Sequence, residues 1–404
     1  MKQLFFLYGL LLSLSCLAQG SWTKKADFAG GDRMRAVGFS INGKGYIGLG
    51  LGKDSSGATG YKKDFWEYNP ITDNWSRMAD FPGDARQAAT GFSIDDKGYV
   101  GTGICDSVTK DFWAFDPQLN QWTQIADFGG APRQGACGFS IDGKGYVVAG
   151  NNTLGNYFRD LWEYTPANNQ WVQKGNMPGV NRKNPVAFVI NSIAYIGGGD
   201  YTSVFDDFWL YDSDINSWSA IADFGGGPVF NSVGFSLGDM GFAGTGSRDA
   251  SQKLDTFLRF NPTTNSWMPQ TSFSDGNRTL ACGFSIGEKG YIGTGYADND
   301  IWKTDFWEFT PAQTTSIDQS VIKRAGVQIY PNPAKESVTI KFESEIELAP
   351  VFDVFTNMGQ KIEVPGKYKK DKIVIETQAL TTGMYFFKIQ TSSDKIFNGK
   401  FFIE

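Results

Sequence analysis

Three linked segments decide how this chain folds. They are Gly138-Phe139-Ser140-Ile141-Asp142-Gly143-Lys144-Gly145-Tyr146-Val147-Val148-Ala149-Gly150, then Asp160-Leu161-Trp162-Glu163-Tyr164-Thr165-Pro166, then Trp171. Apolar and polar residues alternate from Leu161 to Thr165, and Gly, Asn, Asp and Pro punctuate the rest. That pattern predicts four short antiparallel strands: one carrying Gly138 to Ile141, one from Gly145 to Gly150, one from Asp160 to Pro166, and a fourth opening on Trp171. Four such strands cannot bury both of their faces alone, so the unit requires neighbours of its own kind.

Neighbours are present at a period of about 49 residues. One series runs Trp22, Trp75, Trp122, Trp171, Trp218 and Trp267. A second runs Gly38-Phe39, Gly91-Phe92, Gly138-Phe139, Ala187-Phe188, Gly234-Phe235 and Gly283-Phe284. A third runs Asp64-Phe65-Trp66, Asp111-Phe112-Trp113, Asp160-Leu161-Trp162, Asp207-Phe208-Trp209, Thr256-Phe257-Leu258 and Asp305-Phe306-Trp307. Units stacked radially make a propeller, and here the closure is legible too. Trp22 to Phe28 resembles a fourth strand with no first three before it, whereas the sixth copy ends at Asp305-Phe306-Trp307 without a trailing Trp. The N-terminal strand therefore completes the last blade, which leaves no open sheet edge between first and last blades. The expected fold is all-β: a six-bladed propeller closed by its N-terminal strand, then a small β-sandwich.

Residues 22–312 resemble the kelch-repeat propellers. The family's glycine pair, its Tyr-x-Pro turn and its Trp spacing stand here as Gly197-Gly198, Tyr68-Asn69-Pro70 and Trp66 to Trp75. Galactose oxidase shares this propeller type, but its copper site needs His ligands and this chain of 404 residues has no His. The same absence excludes Ser-His-Asp and Cys-His nucleophiles, His-bound zinc and imidazole acid–base pairs.

The ends of the chain carry an address. Lys2, the apolar run Leu4 to Leu14 and the small residues Ser15-Cys16-Leu17-Ala18 predict a secretory signal peptide over 1–18, cleaved before Gln19. A lipoprotein reading of Cys16 fits less well, because Ser13 stands where Leu is favoured. No later stretch is apolar and long enough for a membrane helix, so no integral membrane segment is expected. Cys105, Cys137 and Cys282 then remain, an odd number. Cys137 and Cys282 hold the same position in opposite blades, too far apart for a bond. After the propeller domain (19–312), residues 313–326 read as a polar linker.

Alternation in Val338 to Phe342 and in Lys372 to Glu376 marks a small sandwich over 327–404. Tyr330-Pro331-Asn332-Pro333-Ala334, Val354 to Gly359, Gly383-Met384-Tyr385-Phe386-Phe387-Lys388 and the terminal Gly399-Lys400-Phe401-Phe402-Ile403 resemble the C-terminal sorting domain of the type IX secretion system. That resemblance implies export across a Gram-negative outer membrane, with the secretion machinery and its sorting peptidase as partners. It further implies removal of the tail, and release or attachment to surface lipopolysaccharide.

Residues 21–316 hold 24 basic and 32 acidic side chains, which argues against nucleic acid as a partner. The loops after second strands vary in length, so their face is the candidate for binding an extracellular glycan or protein. Arg33, Arg86, Arg133, Arg182 and Arg278 recur five residues before the Gly-Phe position, with Val229 in the fifth copy. Two readings are open for them. They ring the channel mouth and grip a carboxylate or sugar, or they pair with scaffold acids such as Asp27, Asp80 and Asp127 six residues earlier. Loop aromatics Tyr157, Tyr201, Tyr296 and Trp302 suit ring stacking on a sugar. Asp298-Asn299-Asp300 has too few oxygens for Ca²⁺, and no catalytic residue, metal or cofactor is assigned.

The expected function is a ligand-binding or protein-interaction module at the cell surface. The alternative is a carbohydrate-active enzyme (epimerase, lyase or hydrolase) using carboxylate, Arg and Tyr; bacterial sialic acid epimerases are kelch propellers of this kind. No pair of loop carboxylates at corresponding positions favours the enzyme. For the address, deleting 327–404 should strand the protein in the periplasm, scored by surface labelling of intact cells. Unchanged display would refute the sorting role.

Overall fold

The computed structural model describes residues 19–312 except 55, and 327–403 except 331–333, 343–350, 357–359, 370–371, 379 and 391–395. The expected leader (1–18), the linker (313–326), Pro331, Asn332, Pro333 and Gly359 lie outside the described residues. The chain divides into two compact units at Gln313–Thr314.

The first unit is a propeller of six four-stranded antiparallel sheets. Blade 3 shows the common plan: Cys137–Ile141 innermost, then Lys144–Val148, Leu161–Thr165 and Gln170–Lys174 outermost. The innermost strands of blades 1, 2, 4 and 5 are Val37–Ile41, Thr90–Ile94, Val186–Ile190 and Val233–Leu237. Blade 6 comprises Cys282–Ile286, Lys289–Gly293 and Phe306–Thr310, and its outer strand is Ser21–Lys25, with Trp22 opposite Phe309. Each innermost strand touches the next, and the sixth touches the first. The closure expected from the unpaired Trp22 segment is the one observed.

Two repeated contacts stitch the seams. At five of the six seams the Phe of the Gly-Phe pair, or of Ala187-Phe188, lies on a second-strand glycine of the following blade. A Cβ on Gly98, Gly145, Gly241 or Gly290 would come within 2.1–2.4 Å of the ring of Phe39, Phe92, Phe188 or Phe235. Gly45 receives Phe284 in the same way and so joins blade 6 to blade 1. Between blades 3 and 4 the place is taken by buried Ala194, clustered with Phe139. On the periphery, each fourth-strand indole donates to a carbonyl of the preceding blade: Trp75 to Ala26 (3.1 Å), Trp122 to Ala79 (2.9 Å), Trp171 to Ala126 (3.1 Å), Trp218 to Gly175 (2.9 Å), Trp267 to Ala222 (3.1 Å) and Trp22 to Thr271 (3.1 Å). Aromatic mass thus fills the seams, while one polar atom per ring is satisfied across them.

The second unit packs two four-stranded sheets. One contributes Val338, Ile340, Phe342, Ile373 and Ile375 to the core, and the other Val354, Tyr385, Phe387, Ile389, Phe401 and Ile403. The sorting motifs hold structural places here. Tyr385 is buried, and its hydroxyl donates to Thr381 O at 2.9 Å. A Cβ on Gly399 would meet the Phe387 ring at 2.5 Å. Gly383 pairs with Ile403 at the head of the last hairpin, and Lys400 is exposed. The main chain of Tyr330 pairs with Thr339. No helix among the described residues is long and apolar enough to cross a membrane. Cys105, Cys137 and Cys282 are free thiols.

Candidate functional site

The recurring arginines do not face the mouth. Arg33, Arg86, Arg133, Arg182 and Arg278 are at most 1% exposed. Each grips the Asp that opens the third strand of its own blade. In blade 3, Arg133 Nη1 and Nη2 donate to Asp160 Oδ1 and Oδ2 at 2.6 and 2.9 Å. Nη1 also reaches Ala149 O at 2.9 Å, and Nε reaches Ala131 O at 3.0 Å. Asp160 Oδ2 accepts a further bond from the Trp162 indole at 2.7 Å.

Arg33–Asp64–Trp66, Arg86–Asp111–Trp113 and Arg182–Asp207–Trp209 repeat the set. In blade 6, Arg278 Nη2 is shared between Asp305 (2.8 Å) and Asp275 (2.5 Å). The expected pairing with acids six residues upstream is corrected: Asp27, Asp80 and Asp127 meet Lys24, Arg77 and Lys110 instead. The bidentate geometry selects the third-strand Asp, whose two oxygens match the guanidinium fork.

Blade 5 confirms that the three residues act as a unit. There Val229, Thr256 and Leu258 replace Arg, Asp and Trp together, and Val229 and Leu258 join an apolar cluster with Phe224 and Leu254. Losing the Arg or the Asp alone would leave its charged partner unpaired. Phe158 and Phe205 cover the guanidiniums of Arg133 and Arg182 at 4.1 and 4.4 Å.

The mouth itself is built two residues further on. Arg35, Ala88, Gly135, Asn184, Asn231 and Leu280 all adopt left-handed backbone, with φ between 51° and 61°. Their main chains form a closed cycle: Arg35 N donates to Leu280 O (2.9 Å), Ala88 to Arg35 (3.1 Å), Gly135 to Ala88 (3.1 Å), Asn184 to Gly135 (2.7 Å), Asn231 to Asn184 (3.3 Å) and Leu280 to Asn231 (3.4 Å). This six-member collar, with the residue after each member, lines an open cavity of about 140 Å³.

Arg35 carries the only charge among the lining residues, and none of them is acidic. Its guanidinium makes no hydrogen bond or ion pair among the described residues. Burial draws the Arg35 guanidinium below its ordinary range, and the charge of Asp200, from the opposite blade, works against that. Asp200 stands behind the wall, accepting from Asn184 Nδ2 at 2.8 Å with Lys183 Nζ at 3.6 Å. Burial raises the Asp200 carboxyl despite Asn184 and Lys183. Sequence reasoning passed over Arg35, Asn184, Asn231 and Asp200 because it followed what repeats. The available signal was the reverse: this collar position holds Arg, Ala, Gly, Asn, Asn and Leu within an otherwise regular pattern.

The loop aromatics assemble in two pairs. Tyr157 and Tyr201 lie 4.5 Å apart between blades 3 and 4, with Lys183 Nζ 5.7 Å from the Tyr157 ring. Tyr296 and Trp302 meet edge to face at 6.4 Å in blade 6, bracketed by Lys253 (4.8 Å) and Lys53 (5.3 Å) from the neighbouring blades. Among the described residues no group of three or more side chains could hold a metal ion.

Known proteins resemble the two units separately. Residues 328–404 match the family described as the secretion system C-terminal sorting domain. The chain is thus exported by the type IX route to the cell surface or extracellular space. A solved structure entitled "Structure of YjhT" superposes with a TM-score of 0.60 at 17% identity, over 69% of this chain and 95% of that one. It is a kelch-type propeller, and the likeness establishes the fold. N-acetylneuraminate epimerase of Yersinia enterocolitica is 39% identical over 64 residues, 15% of this chain and 16% of its own length. That of Escherichia coli strain K12 is 32% identical over 87 residues, covering 22% and 24%. The chain therefore spans a quarter or less of the curated relatives it matches.

The buried ion pairs have two measurable consequences. Arg133→Val should cost about 3 kcal/mol in denaturant unfolding, because the half-buried Asp160 is left without its partner. Copying blade 5 with R133V, D160T and W162L together should recover much of that loss, and a purely additive triple variant would contradict the unit. At Asp64, Asp111 and Asp207 burial opposes ionisation, but the hydrogen bonds and charge of Arg33, Arg86 and Arg182 outweigh it and hold the carboxyls below their usual value. Folded values below unfolded ones mean stability that is complete above about pH 4 and lost as pH falls further. A urea-midpoint series from pH 6 to pH 2 should show the decline beginning there.

Proposed function

We propose that this exported propeller is a binding module for a carboxylated sugar, held at the channel mouth. The observation that carries the reading is Arg35: one guanidinium with no hydrogen-bond or ion-pair partner among the described residues, in a collar whose other side chains are neutral, within a domain of net negative charge. A planar donor fork suits a carboxylate, and the amides of Asn184 and Asn231 across the collar supply neutral hydrogen bonds for hydroxyl or acyl groups. The relatives' substrate, N-acetylneuraminate, belongs to this class. Removal of the tail by the sorting peptidase, followed by release or attachment to lipopolysaccharide, completes the proposal for the mature protein.

A second reading, sugar epimerisation, draws on the relatives' names and on the raised carboxyl of Asp200 near Arg35. Against it, among the described residues no carboxylate lines the cavity and no second acid pairs with Asp200. Following the anomers of N-acetylneuraminate by NMR separates the two: binding without faster interconversion supports the module, and acceleration supports the enzyme. In titration calorimetry of the mature chain against N-acetylneuraminate, Arg35→Ala should abolish binding. Arg35→Lys should weaken it about tenfold, because an ammonium cannot reproduce the fork. Full affinity in R35A would overturn the site.

A further inference from the structure

Outward from the Arg35 cavity, the rim over blades 3 and 4 differs from the rest. Cavity-lining Asn184 is bonded to Asp200, and the next residue, Tyr201, is 46% exposed. Tyr201 meets Tyr157 across the blade seam at 4.5 Å, with the rings inclined at 59°. Below them the main chain of Asn151 bridges both Gln134 and Tyr157. Asn151 is only 8% exposed, and its Nδ2 donates to Asn152 O, but its Oδ1 has no partner. Asn151 Oδ1 is thus a buried acceptor without a partner among the described residues, and of the two rings Tyr201 is exposed and Tyr157 half-buried.

At the other pair the polar groups are already answered. Lys253 faces Asp298 at 3.8 Å, Asn277 donates to Asp298 at 2.7 Å, and the Tyr296 hydroxyl donates to Asp300. Those contacts are enough to explain Tyr296 and Trp302 as packing between loops.

We propose that Tyr157, Tyr201 and Lys183 form a second subsite, for a neutral sugar to which the acidic sugar at Arg35 is glycosidically linked. This rests on the reading of the Arg35 cavity given above. One strand spacing and one residue separate the cavity wall from the platform, roughly 8 Å, so two neighbouring rings of one glycan can occupy both. Two tilted phenol rings offer apolar faces to the C–H face of a pyranose, and Lys183 offers a donor to its hydroxyls. The ligand is then the acidic end of a longer chain, not a free monosaccharide.

Titration of the mature protein with the methyl α-glycoside of N-acetylneuraminate, and with the same sugar α-linked to lactose, tests this. The linked trisaccharide should bind about tenfold more tightly. Tyr157→Ala with Tyr201→Ala should erase that gain while leaving the methyl glycoside unchanged, which also reports an intact fold; Tyr201→Phe should retain the gain. Equal affinity for the two ligands, or equal weakening of both in the double variant, would overturn the subsite and leave the Arg35 reading standing. Binding of neither ligand would overturn the Arg35 reading, and this subsite with it.

Discussion

A guanidinium shut away from water must find all its hydrogen-bond acceptors inside the protein, and five blades of this propeller are organised around that demand. The Arg of each set reaches a carboxylate at the head of the third strand and a carbonyl at the exit of the second: Leu49, Thr102, Ala149, Gly198 or Thr294. It thereby ties the upper ends of three strands to the segment entering the first. Charge-assisted bonds of this kind are directional, so they set geometry as well as contributing energy. The collar, two residues downstream, inherits its position from them.

Blade 5 shows what the set is for by doing without it. Val229, Thr256 and Leu258 fill the space with apolar surface and one hydroxyl, while the collar residue Asn231 keeps both its left-handed backbone and its place in the cycle. Either solution positions the mouth. Away from the mouth the seams rely on shape. A glycine leaves room for the preceding blade's Phe, and an indole N–H closes the outer edge. These contacts recur all round, with Ala194 in the glycine's place at one seam, which is why they carry no ligand specificity.

Specificity belongs where the repeat fails. Arg35 has no counterpart in the other blades, and neither does the Lys183–Asp200 pair behind Asn184. The recurring arginines attracted attention because they recur, and recurrence marks scaffold. Tyr157 and Tyr201 were visible as loop aromatics, but their pairing across a seam joins residues that only the stacking of blades brings together. The irregular collar position was legible in the sequence as a break in register; that its side chains converge on one opening was not.

From the residues alone came the strand plan, the number of blades, the N-terminal closing strand and the sorting tail. All of these are written in local pattern and period, which survive without knowledge of distant contacts. The tertiary structure decided which acid each buried Arg would take, because a bidentate fork chooses by geometry and not by sequence distance. It also decided which Arg stays free. Arg33 and Arg35 are two residues apart and chemically identical, yet one is enclosed with Asp64 and the other lines the cavity, because the left-handed turn at Arg35 sends consecutive parts of the chain to different surroundings.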